Sequence, residues 1–380
     1  MDKLLLIHNN YQNIGGEDIA VRQEIEFLKK HFELREVIFD NSKLRTSSQL
    51  FNFLFNSNRK SKKRVLKEIE EFNPDVAYVH NTWFTSSLSI FKALKSKNIK
   101  VVLKLHNYRF FCTRSYLINK HIQNEYCMAC GIRKKNFSFF NKYFKESYLK
   151  SFLVNRYGRK YYKIIKNLDG TIVCLTEFQK SFLRNLGFRN RIEIFPNYIH
   201  SQFEFTNSKK ENNVIYAGRI SEEKGVEELI TSFRDAGLKK TRLVIIGDGP
   251  DHKYLVNKYG DMVNISFLGY KTNFETLKLI ANSRAVVTAT KLYEGQPTLL
   301  TEASLSGTPS IFPDTGGVSE FFPKDYPLIF EQFNYFDLIS KMQLVEDEKL
   351  IVELGSLARE HIENSLKDEY LIKKFKEILS

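Results

Sequence analysis

The feature that most constrains the fold is an alternation of short apolar runs with longer amphipathic segments along the whole chain. Short apolar runs predict buried strands and amphipathic segments predict helices, and their alternation is typical of βα units on a parallel sheet. In the first half, strands are predicted at 3–8, 34–39, 75–80, 100–106, 170–175 and 191–195. In the second half they are predicted at 213–217, 242–246, 263–267, 285–289 and 308–311. The pattern therefore predicts an α/β protein made of two doubly wound domains.

A polar stretch between the two series predicts the domain boundary. A chain of 380 residues is too long for one compact core and fits two domains. The predicted parts are an amino-terminal domain over 1–196, a linker over 197–212, a second domain over 213–360, and a last helix over 361–380 that crosses back to the first domain. The helical segment from 340 onward is expected to break at Leu354-Gly355. Two such domains are expected to face each other, with ligand sites in the cleft between the carboxyl ends of their strands.

The net charge of +14 is unevenly distributed along the chain. Residues 1–200 carry 36 Lys+Arg and 17 Asp+Glu, whereas residues 201–380 carry 22 and 27. A basic surplus indicates an anionic partner, which is nucleic acid, a membrane surface or a phosphate-bearing small molecule. No run of 18 apolar residues and no signal-peptide pattern occurs, and four cysteines are too few for a disulfide scaffold, so we expect a cytoplasmic protein.

The basic surplus is greatest between Arg133 and Lys166, which hold eleven Lys+Arg, one acidic residue and ten aromatic residues. Basic and aromatic residues together suit the headgroup region of a membrane, where rings lie at the apolar boundary and ammonium groups meet phosphates. Stacking on single-stranded bases and a solvated pair of amphipathic helices are the alternatives. The basic residues predicted to face a membrane or acceptor are Arg133, Lys134, Lys135, Lys142 and Lys145.

The first predicted strand of the second half is followed by a glycine and two cations. Gly218 permits a tight exit from the strand, and Arg219 and Lys224 follow it. The two cations can clamp a diphosphate, with the guanidinium as a fork and the ammonium as a point charge, although a solvated loop explains the same residues. After the next strand, Gly247 and Gly249 let a ligand approach the backbone closely, and an ordinary strand-to-helix turn explains them equally well.

The strongest motif is the pair of glutamates in Glu294-Gly295-Gln296-Pro297-Thr298-Leu299-Leu300-Thr301-Glu302. Pro297 suits the first turn of a helix, so the amides of the next three residues present a phosphate site at a helix amino end. Glu302 lies about one turn inside that helix, where its carboxylate can accept both hydroxyls of a ribose. Two surface carboxylates would be the simpler interpretation of an isolated pair, but the position and the neighbours argue against it.

These motifs resemble, in order and spacing, those of the retaining glycosyltransferases of family 4, which have the GT-B fold of two facing Rossmann-like domains. The resemblance covers about 210–320 and rests on Gly218-Arg219, Glu223-Lys224-Gly225, Gly247-Asp248-Gly249, Phe267-Leu268-Gly269, Glu294 with Glu302, and Ser306-Gly307-Thr308-Pro309. In the first half, His106-Asn107-Tyr108-Arg109 and Cys112 resemble members that build capsules, O-antigens and exopolysaccharides.

The resemblance implies a role for each matching residue. Arg219 and Lys224 neutralise the departing nucleotide diphosphate, and Glu294 contacts sugar hydroxyls beside the anomeric carbon. The implied catalytic set is His106, Glu294, Arg219 and Lys224. The implied donor-binding set is Gly15, Gly16, Gly218, Arg219, Lys224, Gly247, Tyr270 (whose main chain faces the base), Glu294, Gly295, Gln296, Pro297, Thr298, Leu299 and Glu302, which binds the ribose. Many members have Glu-Gly-Phe-Gly where this chain has Glu294-Gly295-Gln296-Pro297, so the contacts to the donor sugar stay open.

The first half resembles the acceptor-side domain of the same family. Gly15-Gly16-Glu17 resembles its amino-terminal glycine loop, in which the backbone approaches the donor phosphates. His106 is similar to the histidine near the transferred sugar, and His80, at another predicted strand end, competes for that role or contacts the acceptor.

Three cysteines raise the alternative of a structural zinc. Cys112 precedes Cys127 and Cys130, with His121 between them. Thiolates and imidazole are zinc ligands, but three cysteines with an uncertain fourth ligand are equally explained by buried or free thiols.

The sequence predicts a transferase that moves a sugar from a UDP- or GDP-sugar to a glycan, lipid-linked or oligosaccharide, at the inner face of the cytoplasmic membrane. No Asp-x-Asp occurs in the chain, so no metal is expected in catalysis and no cofactor is required. Cations and helix amino ends balance the charge of the diphosphate instead. The resemblance implies that the acceptor attacks the same face of the sugar from which the diphosphate leaves. The alternatives are a nucleotide-sugar epimerase, a glycogen-synthase-like enzyme and, from another class, a nucleic-acid-binding protein.

Overall fold

The computed structural model describes residues 3–12, 15–42, 56–112, 147–199 and 210–380. The chain divides into unit 1, which is Met1–Tyr198 with Asp368–Ser380, and unit 2, which is Ile199–Lys367. Each unit is built on one six-stranded sheet in which every paired strand is parallel. The predicted α/β class is therefore confirmed.

Unit 1 has the sheet order β2-β1-β3-β4-β5-β6. The strand order reverses between β1 and β3, because β2 is added on one side of β1 and β3 on the other. Its strands are β1 (Lys3–Asn10), β2 (Glu33–Asp40), β3 (Val76–Val79), β4 (Lys100–Lys104), β5 (Gly170–Cys174) and β6 (Arg191–Ile194). Its helices up to Tyr198 are α1 (Gly16–Lys29), α2 (Arg59–Phe72), α3 (Ser89–Ser96), α4 (Tyr148–Lys166) and α5 (Glu177–Asn185). In an open parallel sheet, the point of reversal leaves a crevice at the carboxyl ends of the two strands.

Local chemistry explains where these elements form. Leu4–Ile7 are fully buried, as expected for an apolar strand in the middle of a sheet that is covered on both faces. The side chain of Asn58 accepts from the amides of Lys60 and Ser61 and so caps α2, and Thr176 caps α5 in the same way through Gln179.

The last helix, α12 (Asp368–Leu379), belongs to unit 1. Its Phe375 is fully buried and packs against the rings of Phe32, Tyr78 and Phe195 at centroid distances of 5.5, 5.1 and 5.2 Å. Lys100 Nζ donates to the carbonyl oxygens of Leu379 and Ser380 (2.5 and 3.0 Å). A cation on the last carbonyls stabilises a helix end, so both packing and charge fix α12 on this sheet.

Unit 2 has the sheet order β12-β11-β10-β7-β8-β9, the order of a dinucleotide-binding fold, and it reverses between β7 and β10. Its strands are β7 (Glu211–Ala217), β8 (Arg242–Ile246), β9 (Ile265–Gly269), β10 (Ser283–Val287), β11 (Ser310–Asp314) and β12 (Ile329–Glu331). Its helices are α6 (Val226–Asp235), α7 (His252–Tyr259), α8 (Asn273–Ala281), α9 (Thr298–Leu305), α10 (Tyr335–Gln343) and α11 (Glu348–Ser365).

Two sequence predictions in unit 2 are wrong in detail. The helix break expected at Leu354-Gly355 is absent, and α11 runs through both residues. Gly355 is buried inside this helix, and a Cβ there would lie 2.2 Å from the carbonyl oxygen of Gly307. The glycine therefore allows close packing of the helix and does not end it. Strands β9 and β10 are displaced by two residues from their predicted ranges, in opposite directions, because apolar runs mark a strand without marking its ends.

Candidate active site

The loop after β7 is held against the end of β10 by a glycine. Residues Glu222–Lys224 form one 3-10 turn, and Gly225 follows in the left-handed region with φ +66°. A Cβ at Gly225 would lie 2.1 Å from the carbonyl oxygen of Ala289, just past β10. Glycine therefore lets the two loops at the reversal point of the unit 2 sheet pack together, and this brings Lys224 close to Glu294.

Lys224 and Glu294 form an ion pair at this point. Lys224 Nζ lies 2.5 Å from Glu294 Oε1, which also accepts from Thr290 Oγ1 at 3.1 Å. The carbonyl oxygen of Glu294 accepts from the amide of Gly317 at 3.1 Å, so both its side chain and its backbone are fixed. The sequence had assigned these two residues to different parts of a donor, and the structure brings them into direct contact.

Arg219 lies in the same loop, with its side chain exposed to solvent. Its carbonyl oxygen accepts from the hydroxyl of Tyr216 at 2.8 Å, which fixes the backbone at the strand exit. Arg219 forms no ion pair with any residue in the described ranges.

The amino end of α9 provides the helix terminus that the sequence predicts. The amide of Thr301 donates to the carbonyl oxygen of Pro297 at 3.0 Å, so Pro297 directly precedes the helix. The sequence had placed Pro297 in the first turn. The amides of Thr298 and Leu299 lie before the start of the intrahelical ladder and are oriented toward the helix amino end. Gly295 and Gln296, in the preceding loop, are buried.

Glu302 is buried in the second turn of α9, with 6% of its surface exposed. Burial raises the pKa of its carboxyl to about 7, and a hydrogen bond with Asn273 opposes the shift. A carboxylate kept out of water in this way gains from any ligand that donates hydrogen bonds to it, and a ribose with two adjacent hydroxyls is such a ligand.

The glycines after β8 have a structural reason that the sequence did not show. Gly247 has φ +133°, and a Cβ there would lie 1.9 Å from the carbonyl oxygen of Gly218. The amide of Gly218 in turn donates to the carbonyl oxygen of Ile246 at 3.0 Å. The glycine at 247 is therefore required by the neighbouring loop before any ligand is considered. Tyr270, after β9, has 78% of its surface exposed.

In unit 1, the glycine loop is organised by Asp18, a residue that the sequence analysis did not select. Asp18 Oδ1 lies 2.9 Å from His8 Nε2, and Asp18 Oδ2 accepts from the amide of Gly15 at 3.1 Å. Asp18 and His8 are almost completely buried. Their contact fixes the start of α1, whose first residue is Gly16, at the carboxyl end of β1.

The two histidines that competed for one role in the sequence are direct neighbours. His80 Nδ1 lies 2.8 Å from His106 Nε2, and the rings are stacked with centroids 5.1 Å apart. Burial lowers the pKa of both rings well below 6.5, and the nearby Lys104 ammonium lowers both further. Both imidazoles are therefore neutral at neutral pH, so one ring donates to the other.

A buried ion pair lies beside the histidines. Lys104 Nζ lies 2.6 Å from Glu24 Oε2 and donates to the carbonyl oxygen of Pro196 at 3.1 Å. The hydroxyl of Tyr78 donates to Glu24 Oε1 at 2.5 Å. Both charged side chains are fully buried, so the contact joins α1, β3 and β4 without water. The polar residue Lys104 inside an apolar strand was the sequence signal for this cluster, and it was missed.

A small polar cavity opens at the reversal point of the unit 1 sheet. The space open to the centre of a water molecule is about 20 Å³. The lining residues include the carboxylate of Glu17, the two imidazoles, the guanidinium of Arg109, and Trp83 and Tyr161. Arg109 lies 4.9 Å from the ring centroid of Trp83 and 5.5 Å from that of Tyr11, so aromatic rings hold its guanidinium in place.

Several predicted residues lie outside the described ranges. These are Arg133, Lys134, Lys135, Lys142, Lys145, Cys127 and Cys130. Cys112, the described member of the suggested zinc set, is buried. The described ranges contain no group of three or more His, Cys, Asp or Glu side chains arranged to hold a metal ion. They also contain no helix with the length and apolarity needed to cross a membrane.

Comparison with known proteins gives one match to a family model and several to individual proteins. Residues 199–367, less than half of the chain, match the family model described as Glycosyl transferases group 1. The amylovoran biosynthesis glycosyltransferase AmsD of Erwinia amylovora is 23% identical over 217 residues, which cover 55% of this chain and 62% of that protein. The aligned part thus spans less than two thirds of the length of each of the curated relatives that the chain matches.

Two solved structures share the whole fold. Sucrose-phosphate synthase from Thermosynechococcus elongatus has a TM-score of 0.69 at 14% identity and covers 100% of this chain and 98% of its own. Anabaena Alr3699/HepE in complex with UDP has a TM-score of 0.67 at 14% identity and covers 100% and 99%. The predicted GT-B class is confirmed. The matches thus show the GT-B fold over the whole chain and a likeness to glycosyl transferases group 1 over residues 199–367.

Proposed function

We propose that this protein is a retaining glycosyltransferase of family 4 that transfers a sugar from a nucleotide diphosphate to a glycan hydroxyl. The observation that carries the proposal is the ion pair of Lys224 and Glu294, placed at the reversal point of the unit 2 sheet. The open amides at the start of α9 and the buried carboxylate of Glu302 belong to the same few residues of sequence. Cations, amides and carboxylates are the groups that a diphosphate, a sugar and a ribose require.

The proposed chemistry divides these groups by charge. Arg219 and Lys224 hold the diphosphate, which leaves with both electrons of the bond to the anomeric carbon. The acceptor oxygen forms its bond on the same face, and its proton passes to the departing phosphate oxygen. Fixed cations and helix amides offset the charge that develops on the leaving group, so the proposed mechanism needs no metal. The ion pair orients Glu294 before the donor arrives.

We further propose a lipid-linked acceptor and a peripheral site on the inner face of the cytoplasmic membrane, as part of surface polysaccharide synthesis. Helix α4 supports this proposal, because Tyr148, Leu149 and Phe152 expose between 48% and 63% of their surfaces. Exposed cations lie on the same helix at Lys150, Arg159 and Lys163. Apolar and basic side chains together favour contact with an anionic membrane surface.

The donor site is tested with Arg219→Ala and Glu294→Gln. We expect either change to lower sugar transfer by roughly 100-fold, the usual effect of removing one group that stabilises developing charge. Exposed residues of the same types, Arg234→Ala and Glu353→Gln, serve as matched controls and should leave the rate unchanged. Normal transfer by folded Arg219→Ala and Glu294→Gln proteins would show that the site has been assigned wrongly.

The class of donor is tested by thermal unfolding with UDP, GDP or a single-stranded oligonucleotide, followed by hydrolysis of UDP- and GDP-sugars. Stabilisation by a nucleotide and release of sugar with the donor's anomeric configuration, read by proton NMR, are expected. Stabilisation by the oligonucleotide alone would favour a nucleic-acid-binding protein. Conversion of the nucleotide sugar into its epimer would favour an epimerase.

The membrane proposal is tested with vesicles of phosphatidylglycerol and phosphatidylcholine. Binding to the anionic vesicles should decrease as salt is added, because screening weakens attraction between exposed charges. Replacement of Lys150, Arg159 and Lys163 with glutamine should weaken it further. Binding that neither salt nor the triple substitution changes would return α4 to the interpretation of a solvated amphipathic helix.

A further inference from the structure

The carboxylate of Glu17 is held by one oxygen only. Its Oε2 accepts from the hydroxyl of Tyr11 at 2.9 Å and from Nδ2 of Asn107 at 2.8 Å. Its Oε1 makes no hydrogen bond with any residue of the described ranges. Two donors from different segments, one after β1 and one after β4, thus fix the carboxylate while half of its accepting capacity stays unused.

The cavity that Glu17 lines has room for one small polar group. About 20 Å³ is open to the centre of a water molecule, which is enough for one water or one hydroxyl. His80, which lines the same cavity, is 1% exposed, and its Nε2 is buried without a hydrogen-bond partner. Because a buried polar atom without a partner costs free energy, this second group also indicates a ligand that hydrogen-bonds here.

The chemistry of the walls selects the kind of group. A fixed carboxylate oxygen accepts a hydrogen bond, and the Arg109 guanidinium in the same lining offsets its charge, so the wall suits a neutral donor such as a hydroxyl. A neutral imidazole nitrogen can complete the contact with the same hydroxyl or an adjacent one. The rings of Trp83 and Tyr161 line the same cavity.

We propose that Glu17 binds the acceptor, by accepting a hydrogen bond from a hydroxyl of an uncharged sugar at its reacting end. This inference rests on the proposed function, in which the donor is bound by Arg219, Lys224, Glu294 and Glu302 of unit 2. Glu17 belongs to unit 1, whereas these four residues belong to unit 2.

The test compares Glu17→Gln with Glu26→Gln, a matched control on an exposed position of the same helix. In Glu17→Gln, the amide oxygen can keep the contacts to Tyr11 and Asn107, so the NH2 group then occupies the place of Oε1. A donor replaces an acceptor there, and the fold is conserved. Glu17→Ala removes both contacts and provides the second variant.

The ligands used are the octyl β-glycosides of glucose, galactose and N-acetylglucosamine and the 6-phosphates of these glycosides, titrated by saturation-transfer NMR with UDP or GDP present. We expect at least one uncharged glycoside to bind the wild type and the Glu26→Gln protein. Its affinity should fall at least tenfold in both Glu17 variants. Nucleotide binding and the hydrolysis of nucleotide sugars should change by less than twofold in the Glu26→Gln protein.

Three results would overturn the assignment of Glu17. They are equal glycoside affinity in the wild type and both Glu17 variants, a preference for the phosphorylated glycosides, and no binding of any glycoside to the wild type. A parallel loss of nucleotide binding in Glu17→Gln would also do so, because it would place Glu17 in the donor site. A wild-type protein that neither binds a nucleotide nor hydrolyses a nucleotide sugar would instead reject the proposed function.

Discussion

In each of the two sheets the strand order reverses at one point, and the residues at the two points differ in kind. In unit 2, the loops at the reversal point pack backbone against backbone, with Gly247 facing the carbonyl of Gly218 and Gly225 facing that of Ala289. Charged side chains lie on these loops and remain partly exposed. In unit 1, the reversal point is packed with buried polar side chains, among them the imidazole pair and the ion pair of Glu24 and Lys104.

The difference indicates two ways to prepare a polar site. Unit 2 places rigid backbone amides and partly hydrated charges where a highly charged ligand can replace water at low cost. Unit 1 fixes neutral hydrogen-bonding groups by burying them, and it balances the one buried cation with a buried anion. The first arrangement suits a diphosphate, and the second suits a hydroxyl.

The largest expected effect comes from breaking the buried ion pair of unit 1. Lys104→Met leaves Glu24 charged and unpaired in the interior, which should cost about 3–5 kcal/mol of unfolding free energy. The single tryptophan, Trp83, lies in unit 1, so urea unfolding followed by its fluorescence reports on this unit. The double variant Lys104→Met with Glu24→Gln should recover most of the loss. Equal destabilisation of the single and double variants would mean that packing, and not charge, holds this region.

In unit 2, neutralising the buried carboxylate of Glu302 should raise the stability of the fold. Burial raises the pKa of Glu302 from 4.5 to about 7, so the folded state binds the proton more tightly than the unfolded state. Above pH 7 the charged form therefore costs the fold up to about 3 kcal/mol, and the cost disappears below pH 4.5. Glu302→Gln should raise the unfolding temperature at pH 8 but not at pH 4.5, and it should weaken nucleotide binding. A lower unfolding temperature at pH 8 would contradict this account.

A single methyl group should disturb unit 2 through its backbone. At Gly247 a Cβ would lie 1.9 Å from the Gly218 carbonyl oxygen, whereas at Gly237, which also has a positive φ (+66°), it would meet nothing within 4 Å. Gly237→Ala should cost about 1 kcal/mol from the backbone conformation alone, and Gly247→Ala about 2 kcal/mol more. Calorimetry, with hydrogen exchange of the unit 2 amides, measures both. Similar costs for the two variants would show that the loop contact can relax.

The last expected effect is the pH dependence of unit 1. Burial lowers the pKa of both His80 and His106, and the nearby Lys104 ammonium lowers both further. Because the unfolded histidines bind protons below pH 6.5 and the folded ones do not, stability should fall as the pH drops below 6.5. The slope should approach about 1.4 kcal/mol per pH unit for each ring.

Two measurements check this pH dependence. Trp83 fluorescence in urea gives the stability of unit 1 between pH 5 and 7.5, and proton NMR follows the two imidazole rings directly. Titration midpoints near 6.5 for both rings in the folded protein would contradict their burial as neutral groups. The same slope after His361→Gln, a change in unit 2, would assign the effect to unit 1.

The sequence predicted the strands, their alternation with helices and the unit 2 motifs, because these depend on local patterns. Apolar runs fix a strand, and a glycine with nearby cations forms one continuous loop. It did not predict the second-turn burial of Glu302, the packing role of Gly355 or the short edge strand β12. These depend on neighbours that are distant in the chain.

The unit 1 site shows the same limit more clearly. Glu17 was visible only as part of a glycine motif, and His80 and His106 were treated as competitors because 26 residues separate them. Their contact follows from the adjacency of β3 and β4 in the sheet, which no local pattern contains. Lys104, within an apolar strand, was the one local signal for a buried polar cluster.

By itself, then, the sequence determined an α/β protein with two parallel sheets and predicted a phosphate-binding loop, since backbone geometry and periodicity are properties of neighbouring residues. Only the tertiary structure decided that Lys224 pairs with Glu294, that two imidazoles share a hydrogen bond and that one oxygen of Glu17 makes no hydrogen bond with a residue of the described ranges. Parallel strands bring their carboxyl ends together from distant parts of the chain. Burial there sets the charge and the hydrogen bonds of each side chain.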